Sequence, residues 1–494
     1  MQIILINPHV ISSYRLEPNI YFSVLYLGTM LDRNGYEIKI IDGQIENIED
    51  RIEELISDAL YVGISVMTSQ IESAVKTAKF VRKIAPNKPI IWGGIHPSLY
   101  PEQTIQNPYV DYVVVGEGEL SILEFTQYLE GKRPISEVKG LLYKENDKIH
   151  FNPQRDYFLD LNTLSPPSWH LLQMEKYIHD RIFSGVNFGR YISIHAGRGC
   201  NFRCTFCINT IQHLKKWRPL DAENVVNEIK LLTQRYNLTH IKIEDENFFG
   251  RKSRVKEFCE KKISARLDIS WYCTTRVTYF QKKFLDDELL DLVKRSNFAG
   301  VGFGVESGSQ RILEMIKKEI TVDEVINAVK RCSSVGIIPI CSFMIGLPNE
   351  TQQDMKKTIA LIRKISRKPY NALIIGPQIY RPYPGAQLYE EIKDSIKTPE
   401  TLEEWTKFLG GGIGESAGFI STKLMPWIKN PTFIKGVNFY TGLALQGSPT
   451  NIINWMIRTP FKYMAKLRLK FNFFALPIDK FIYLKIKSFY IKLS

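Results

Sequence analysis

The chain has 494 residues, 44% of them hydrophobic and 24% charged; it is too long for one ordinary core and too apolar for a disordered or collagen-like chain, so two or three domains are expected. Its net charge of +13 is uneven: from Ser421 to Ser494 twelve Lys and Arg stand against one acid, Asp479, so that tail holds +11 of the total, which disfavours a uniformly basic nucleic-acid-binding body. Seven cysteines are too few for a disulfide scaffold, and three of them crowd into eight positions, which points to metal or redox chemistry in a reducing, cytoplasmic compartment. The opening Met1–Val10 lacks a basic stretch followed by an apolar run, so no secretory signal is expected.

In the first 135 residues, short apolar runs at Ile3–Ile6, Glu37–Ile41, Tyr61–Ser65, Pro89–Trp92 and Tyr112–Val115 alternate with helical patterns such as Ile71–Ile84. That alternation predicts a parallel sheet covered by helices on both faces, with ligands beyond the carboxyl ends of the strands. Residues 136–188 read as a connector, with a hairpin around Lys144–Lys148 and a break at Ser165-Pro166-Pro167-Ser168. From 189 to 395 a second alternation places strands at Tyr191–His195, His240–Ile243, Ser270–Thr274, Gly300–Gly304, Ile337–Phe343 and Ala372–Ile379. Six strands with intervening helices predict a partial (β/α) barrel whose site lies at the strand ends. After Gly410-Gly411-Gly412 comes a tail of weaker periodicity, giving a last region of 396–494.

The sharpest signal is Gly197-Arg198-Gly199-Cys200-Asn201-Phe202-Arg203-Cys204-Thr205-Phe206-Cys207, directly after a predicted strand. Three thiolates on one loop can converge on an iron–sulfur cluster, and a four-iron cubane would keep one iron without a protein ligand. Arg198 and Arg203 are placed to help hold a reduced, negative cluster. The plainer readings are three buried cysteines, or a structural zinc completed by His195 or His213; zinc sites normally show a second paired cluster, and none is present. The scattered Cys259, Cys273, Cys332 and Cys341 read as packing residues.

This CxxxCxxC loop opening a partial barrel resembles the radical S-adenosylmethionine (SAM) enzymes. In that family the amino and carboxylate groups of SAM chelate the open iron, and one electron cleaves the sulfonium to give a 5′-deoxyadenosyl radical. The resemblance implies Cys200, Cys204 and Cys207 as catalytic metal ligands, with Phe206 packing near the adenine. It also draws in acids after the second barrel strand, where Asp245 and Glu246 in Ile243-Glu244-Asp245-Glu246-Asn247-Phe248 would meet the SAM ammonium; a solvated loop or helix cap is the alternative. In Gly302-Phe303-Gly304-Val305-Glu306-Ser307-Gly308, Glu306 and Ser307 would bond ribose or the methionyl end, against an ordinary tight turn. The segment Phe343 to Glu350 resembles the adenine-flanking stretch, with Ile345 at the ring and the acid one residue late. Arg276 and Tyr380 point toward the same cavity, or else make a surface ion pair and a core aromatic. Arg381-Pro382-Tyr383-Pro384-Gly385 would terminate the barrel.

Gly93-Gly94-Ile95-His96-Pro97 followed by Val115-Gly116-Glu117-Gly118-Glu119 is similar to the Rossmann-like cobalamin-binding domain that precedes many radical SAM barrels. On this resemblance Gly93, Gly94, Gly116 and Glu117 lie along the corrin, Ser65, Thr68 and Ser69 offer hydroxyls to its amides and tail, and His96 belongs to the same set. The domains that supply a histidine to cobalt carry DxHxxG after the first strand. Here that loop reads Asn7-Pro8-His9-Val10-Ile11-Ser12-Ser13-Tyr14-Arg15, so His9 and His96 read as structural, and cobalamin bound without a protein imidazole is implied.

Between Phe461 and Ser494 eight basic residues accompany nine aromatics, with Ile482, Ile486, Phe489, Tyr490 and Leu493 at helical spacing and Lys485, Lys487 and Lys492 off that stripe. An amphipathic helix on an anionic membrane and a helix packed on the barrel both fit. Residues 436–457 carry no charge, but Gln446, Gly447, Pro449, Asn451 and Asn454 argue against a spanning helix. The expected protein is thus α/β, a cobalamin-binding Rossmann-like domain, a partial (β/α)6 radical SAM barrel and a mostly helical basic extension. Its expected cofactors are a [4Fe-4S] cluster, SAM and cobalamin, with an external one-electron donor such as flavodoxin or ferredoxin. The expected activity is C-methylation of a small-molecule or lipid substrate; oxidative cyclisation, or a corrinoid or cluster-bearing sensor without turnover, are the alternatives. No nucleic-acid partner is expected.

Overall fold

The computed structural model describes residues 1–10, 18–156, 160–183, 186–408, 425–445 and 452–493. Of the sequence features above, Ile11 to Arg15, the Gly410–Gly412 break, Gln446, Gly447, Pro449 and Asn451, and the side chains of Asn454, Lys487, Phe489, Tyr490, Lys492 and Leu493, lie outside the described residues. The chain divides into two compact units, Met1–Ile178 with Lys393–Leu424, and His179–Ile392 with Met425–Ser494.

In the first unit the apolar runs become β1 (Gln2–Asn7), β2 (Glu37–Asp42), β3 (Ala59–Ser65), β4 (Ile90–Gly93) and β5 (Tyr112–Val114), all parallel. Every residue of β1 is buried. Ile4 and Ile6 join one core layer while Ile3 and Leu5 join the other, as a strand covered on both faces must. Helix Ile71–Ile84 buries Ile71, Ala74, Ala78 and Val81 along a single stripe. The strand order β2-β1-β3-β4-β5 reverses between β1 and β3, and loops at such a reversal diverge to leave a crevice.

The expected hairpin is present as β6 (Leu141–Glu145) and β7 (Lys148–Phe151), turning through Asn146 and Asp147 at φ of 52° and 60°. It is not a free connector. Both strands extend the first sheet antiparallel, with β6 paired to β5.

The second unit begins with a hairpin of β8 (His179–Phe183) and β9 (Val186–Ile194); the edge strand β8 was not expected from the sequence. A two-residue bridge, β10 (Gly197–Arg198) with β11 (Arg218–Pro219), follows. Then come β12 (His240–Ile243), β13 (Ser270–Thr275), β14 (Phe298–Glu306), β15 (Ile338–Ile345) and β16 (Leu373–Ile379). The sheet order β16-β15-β14-β13-β12-β9-β8, parallel from β9 to β16, is the partial barrel with one antiparallel strand added at its edge. Trp271, Phe298, Phe248 and Phe280 fill its core without exposure.

The C-terminal region divides. Helix Leu402–Phe408 belongs to the first unit, where Trp405 donates its indole N–H to Gln103 Oε1 (2.8 Å) and Asn107 donates to Glu403 (2.9 Å). Helix Pro431–Leu445 instead covers the β16 edge of the barrel, Asn438 donating to the Pro377 carbonyl at 2.8 Å. Covering it prevents the open sheet edge from pairing with another chain. No helix among the described residues is long and apolar enough to cross a membrane.

Candidate active site

The cysteine loop leaves the end of β9 and is closed at its base by the β10–β11 bridge. Its backbone is clamped from below. Asp245 Oδ1 accepts the Ala196 and Gly197 N–H groups at 2.7 and 3.0 Å, while Arg254 donates to the carbonyls of Ala196 (2.6 Å), Leu220 (2.9 Å) and Phe248 (3.4 Å). Burial pushes the Asp245 carboxyl up to about 7, against the opposing pull of Arg254 and the two N–H donors. Asp245 is therefore a buried support of the loop, not the SAM contact expected from its position in the sequence. Gly199 sits at φ +83°, where a Cβ would run into the Lys216 carbonyl, so only glycine fits directly before Cys200. Further along, Thr205 is tied to the Ile316 carbonyl and to the Leu388 N–H, at 3.0 and 2.8 Å.

Cys200, Cys204 and Cys207 line one cavity of about 310 Å³ at the strand ends, together with Phe206, Glu246, Arg276, Glu306 and Lys318. Burial raises the Cys200 thiol and pushes Cys207 up to about 11. Two cations compensate: Arg276 donates to Cys204 Sγ at 3.3 Å, and Lys318 Nζ lies 2.9 Å from Glu306 and 5.7 Å from the Phe206 ring centre. Three cavity-lining sulfurs, Cys204 buried and Cys200 and Cys207 half-buried, beside two buried cations suit a metal group that displaces the thiol protons and carries negative charge. Arg203 is exposed, so the cations beside the sulfurs are Arg276 and Lys318, not Arg203. Nothing in the sequence around Lys318 marks it for this place.

Glu246 faces the cavity; one of its oxygens accepts the Gly199 N–H at 2.9 Å and the other lies 3.6 Å from His213. Burial alone would raise its carboxyl, but His213 and the backbone donors outweigh that and hold it down near 2. Ser307 is fully buried, its hydroxyl shared with Thr358 (3.1 Å) and the Ser309 N–H (3.1 Å), and it does not line the cavity. Ile345 is likewise buried and outside the lining, its carbonyl accepting the Tyr380 N–H at 2.8 Å. Tyr380 is a core aromatic beside Trp427. The late acid, Glu350, closes the turn after β15 by accepting the Gly346 and Leu347 N–H groups, while Trp427 donates to the Gly346 carbonyl at 2.9 Å.

In the first unit the expected cofactor residues fall at the adjacent carboxyl ends of β3, β4 and β5. Ser65 ends β3, and Thr68 and Ser69 follow it; all three are half-buried. Gly94 and Gly116 hold φ of +101° and +88°, and a Cβ on Gly94 would sit 2.8 Å from the Val66 nitrogen. Ser98, which sequence reasoning passed over, ties the two glycine loops together by donating to the Gly94 carbonyl (2.7 Å) and accepting the Gly116 N–H (3.0 Å). Gly93 ends β4, and Glu117 lines a small cavity with Gly116 and Arg155. Backbone this close and bare at three neighbouring strand ends fits a flat macrocycle.

His96 departs from that set. It is fully buried, with Tyr100 and Trp405 packed on it at 5.4 and 5.3 Å between ring centres. Burial lowers its pKa to about 3. Its folded pKa lies below the unfolded value, so the unfolded chain binds the extra proton and stability falls as pH drops below about 6.5. We predict a loss of about 2 kcal/mol in the first unit at pH 5 relative to pH 7.5, read from urea midpoints. The pH dependence should shrink by that amount in His96→Gln.

These features define an α/β protein with three cysteines lining one cavity at the mouth of a partial barrel, preceded by an open sheet with glycine-lined strand ends. Residues 194–362 match the model of the radical SAM superfamily, and residues 19–125 match that of the B12 binding domain. The chain is 35% identical over 369 residues to an uncharacterized methyltransferase, PH0819, of Pyrococcus horikoshii, covering 74% of this chain and 76% of that protein. It is 28% identical to the anaerobic magnesium-protoporphyrin IX monomethyl ester cyclase of Rubrivivax gelatinosus over 76% of this chain and 66% of the cyclase. In fold it is similar to the radical SAM methyltransferase TsrM from Kitasatospora setae, solved with cobalamin and a [4Fe-4S] cluster, with a TM-score of 0.67 at 15% identity over 94% of this chain and 99% of that one. The chain belongs to the radical SAM superfamily, in the group that carries a B12 binding domain ahead of the barrel. The cofactors of these two domains are a [4Fe-4S] cluster with SAM and cobalamin.

Proposed function

We propose that the chain is a cobalamin-dependent C-methyltransferase acting on an unactivated carbon of a hydrophobic, lipid- or isoprenoid-like substrate or a secondary metabolite. The observation that carries this reading is the single cavity in which Cys200, Cys204 and Cys207 face Arg276 and Lys318. When bound, the cluster with SAM supplies hydrogen abstraction and cobalamin supplies a transferable methyl group. The three thiolates would hold the cluster and leave one iron corner for SAM. Glu246 and Glu306, the carboxylates that line the cavity, would receive the ammonium of SAM. Phe206 would cover the adenine, and Gly302 and Gly304 would let the ligand approach the β14 backbone. Phe303, Ile340 and Ile375 give part of the cavity an apolar wall, which suits a hydrophobic substrate. An external donor such as flavodoxin or ferredoxin would supply the electron.

The test is anaerobic reconstitution with iron, sulfide and hydroxocobalamin, followed by SAM and a low-potential reductant with candidate hydrophobic substrates. Methyl transfer gives 5′-deoxyadenosine together with S-adenosylhomocysteine. The likeness to the cyclase supports a second reading, oxidative cyclisation, for which 5′-deoxyadenosine would form without S-adenosylhomocysteine. Formation of neither product would retire both readings in favour of a sensor.

A further inference from the structure

The last two helices, Ile452–Phe471 and Ile478–Leu493, are joined by a turn that is locked from the inside. Asp479, the one acid of the basic tail, is buried; it accepts the Tyr440 hydroxyl at 2.8 Å and two Arg468 N–H groups at 2.8 and 3.0 Å. Arg468 also donates to the carbonyls of Phe473, Ala475 and Leu476. Phe474 packs against Gly436, where a Cβ would come within 2.6 Å of it. The tail's only acidic side chain is thus consumed within the fold, and the turn is held in one shape against the barrel's covering helix.

The large apolar side chains of that turn point outward. Phe471, Phe473, Leu476, Ile478 and Phe481 are 67%, 50%, 72%, 63% and 63% exposed. Met456, Tyr463 and Leu467, also exposed, continue the stripe from Phe471 back along the helix at four- and seven-residue steps. The exposed Lys466, Lys470 and Lys485 flank it. Exposed apolar surface of this kind marks a site that is covered in use. A rim of lysines with its one carboxylate buried selects an occupant that is apolar inside and anionic at its face.

We propose that the Phe471–Phe481 turn is a docking element that inserts into the surface of an anionic lipid bilayer, with the flanking lysines on the headgroups. This goes beyond the methyl-transfer reading and does not depend on it. In vesicle flotation of the full-length protein, co-flotation is expected with phosphatidylcholine containing phosphatidylglycerol and not with phosphatidylcholine alone. The pair Phe471→Glu and Leu476→Glu should lower partitioning by roughly tenfold or more, and Lys466→Glu by roughly fivefold; all three side chains are exposed, so unfolding midpoints should not move. In Phe473→Trp the emission should shift to the blue on adding the anionic vesicles. Equal binding to both vesicle types, no binding, or flotation unchanged by the glutamate pair would overturn the proposal. So would a monomeric glutamate-pair variant of a protein that is otherwise dimeric, since a second copy would then be the occupant.

Discussion

Cys204→Ala is expected to abolish 5′-deoxyadenosine formation and to lower reconstituted iron well below four per chain. Cys204 is the most buried of the three loop cysteines and accepts the Arg276 guanidinium at 3.3 Å. On the proposed function its loss would remove a cluster ligand, and it leaves the buried Arg276 cation facing a gap. The drop in turnover should exceed the roughly 10–100-fold that loss of an outer partner costs a metal site. The control is Cys259→Ala. Cys259 is also fully buried, but it lies in the helix Lys252–Ser264 and takes no part in the cavity, so that variant should keep its iron and its product. Iron content is measured by colorimetric assay and the nucleoside by chromatography. A Cys204→Ala protein with a full cluster and undiminished product would dismiss the ligand set.

The second large effect is one of stability. Arg254→Ala should destabilise the second unit by about 3 kcal/mol or more, since each buried acceptor left without its donor costs about 1–3 kcal/mol. The reason is local. Arg254 is 5% exposed and supplies donors to three main-chain carbonyls, while Asp245, 3% exposed, depends on it for compensation. Truncation orphans all of them at once, and unsatisfied buried acceptors carry their full desolvation cost. Arg254→Lys should not restore the loss, because an ammonium cannot reach carbonyls spread over Ala196, Leu220 and Phe248 as a planar guanidinium does. The denaturant midpoint gives the energy, and iron retention reports whether the cysteine loop has lost its footing. A midpoint within 1 kcal/mol of wild type, taken as roughly the cost of one ordinary hydrogen bond, would contradict this account.

Much of this protein was legible before any tertiary contact was known. The barrel strands after Cys207 fall where their apolar runs placed them, because short runs rich in β-branched and aromatic residues between polar turns mark strands by local pattern alone. The cysteine loop was legible because three cysteines at this spacing on one loop need only local geometry to face one cavity. The acids after β12 show where that reasoning stops. Asp245 and Glu246 are neighbours with equal claims in sequence, yet successive residues point in different directions, and one props the backbone while the other faces the cavity. The side chains of Ser307 and Ile345 lie off the cavity lining for the same reason: a motif locates a strand end but does not say which of its side chains turns inward.

By itself, then, the amino-acid order determined the two α/β halves, the cysteine loop and the excess of basic charge at the end, each of which rests on local periodicity, local spacing or simple counting. Only the tertiary structure decided that Trp405, some three hundred residues downstream of His96, seals that histidine into a core. It also brought Lys318 and Arg276 to the sulfurs, and turned the tail's one carboxylate inward so that its lysines and phenylalanines face out. These outcomes depend on which distant surfaces exclude water from one another, and desolvation is a property of the assembled volume that no short stretch of chain contains.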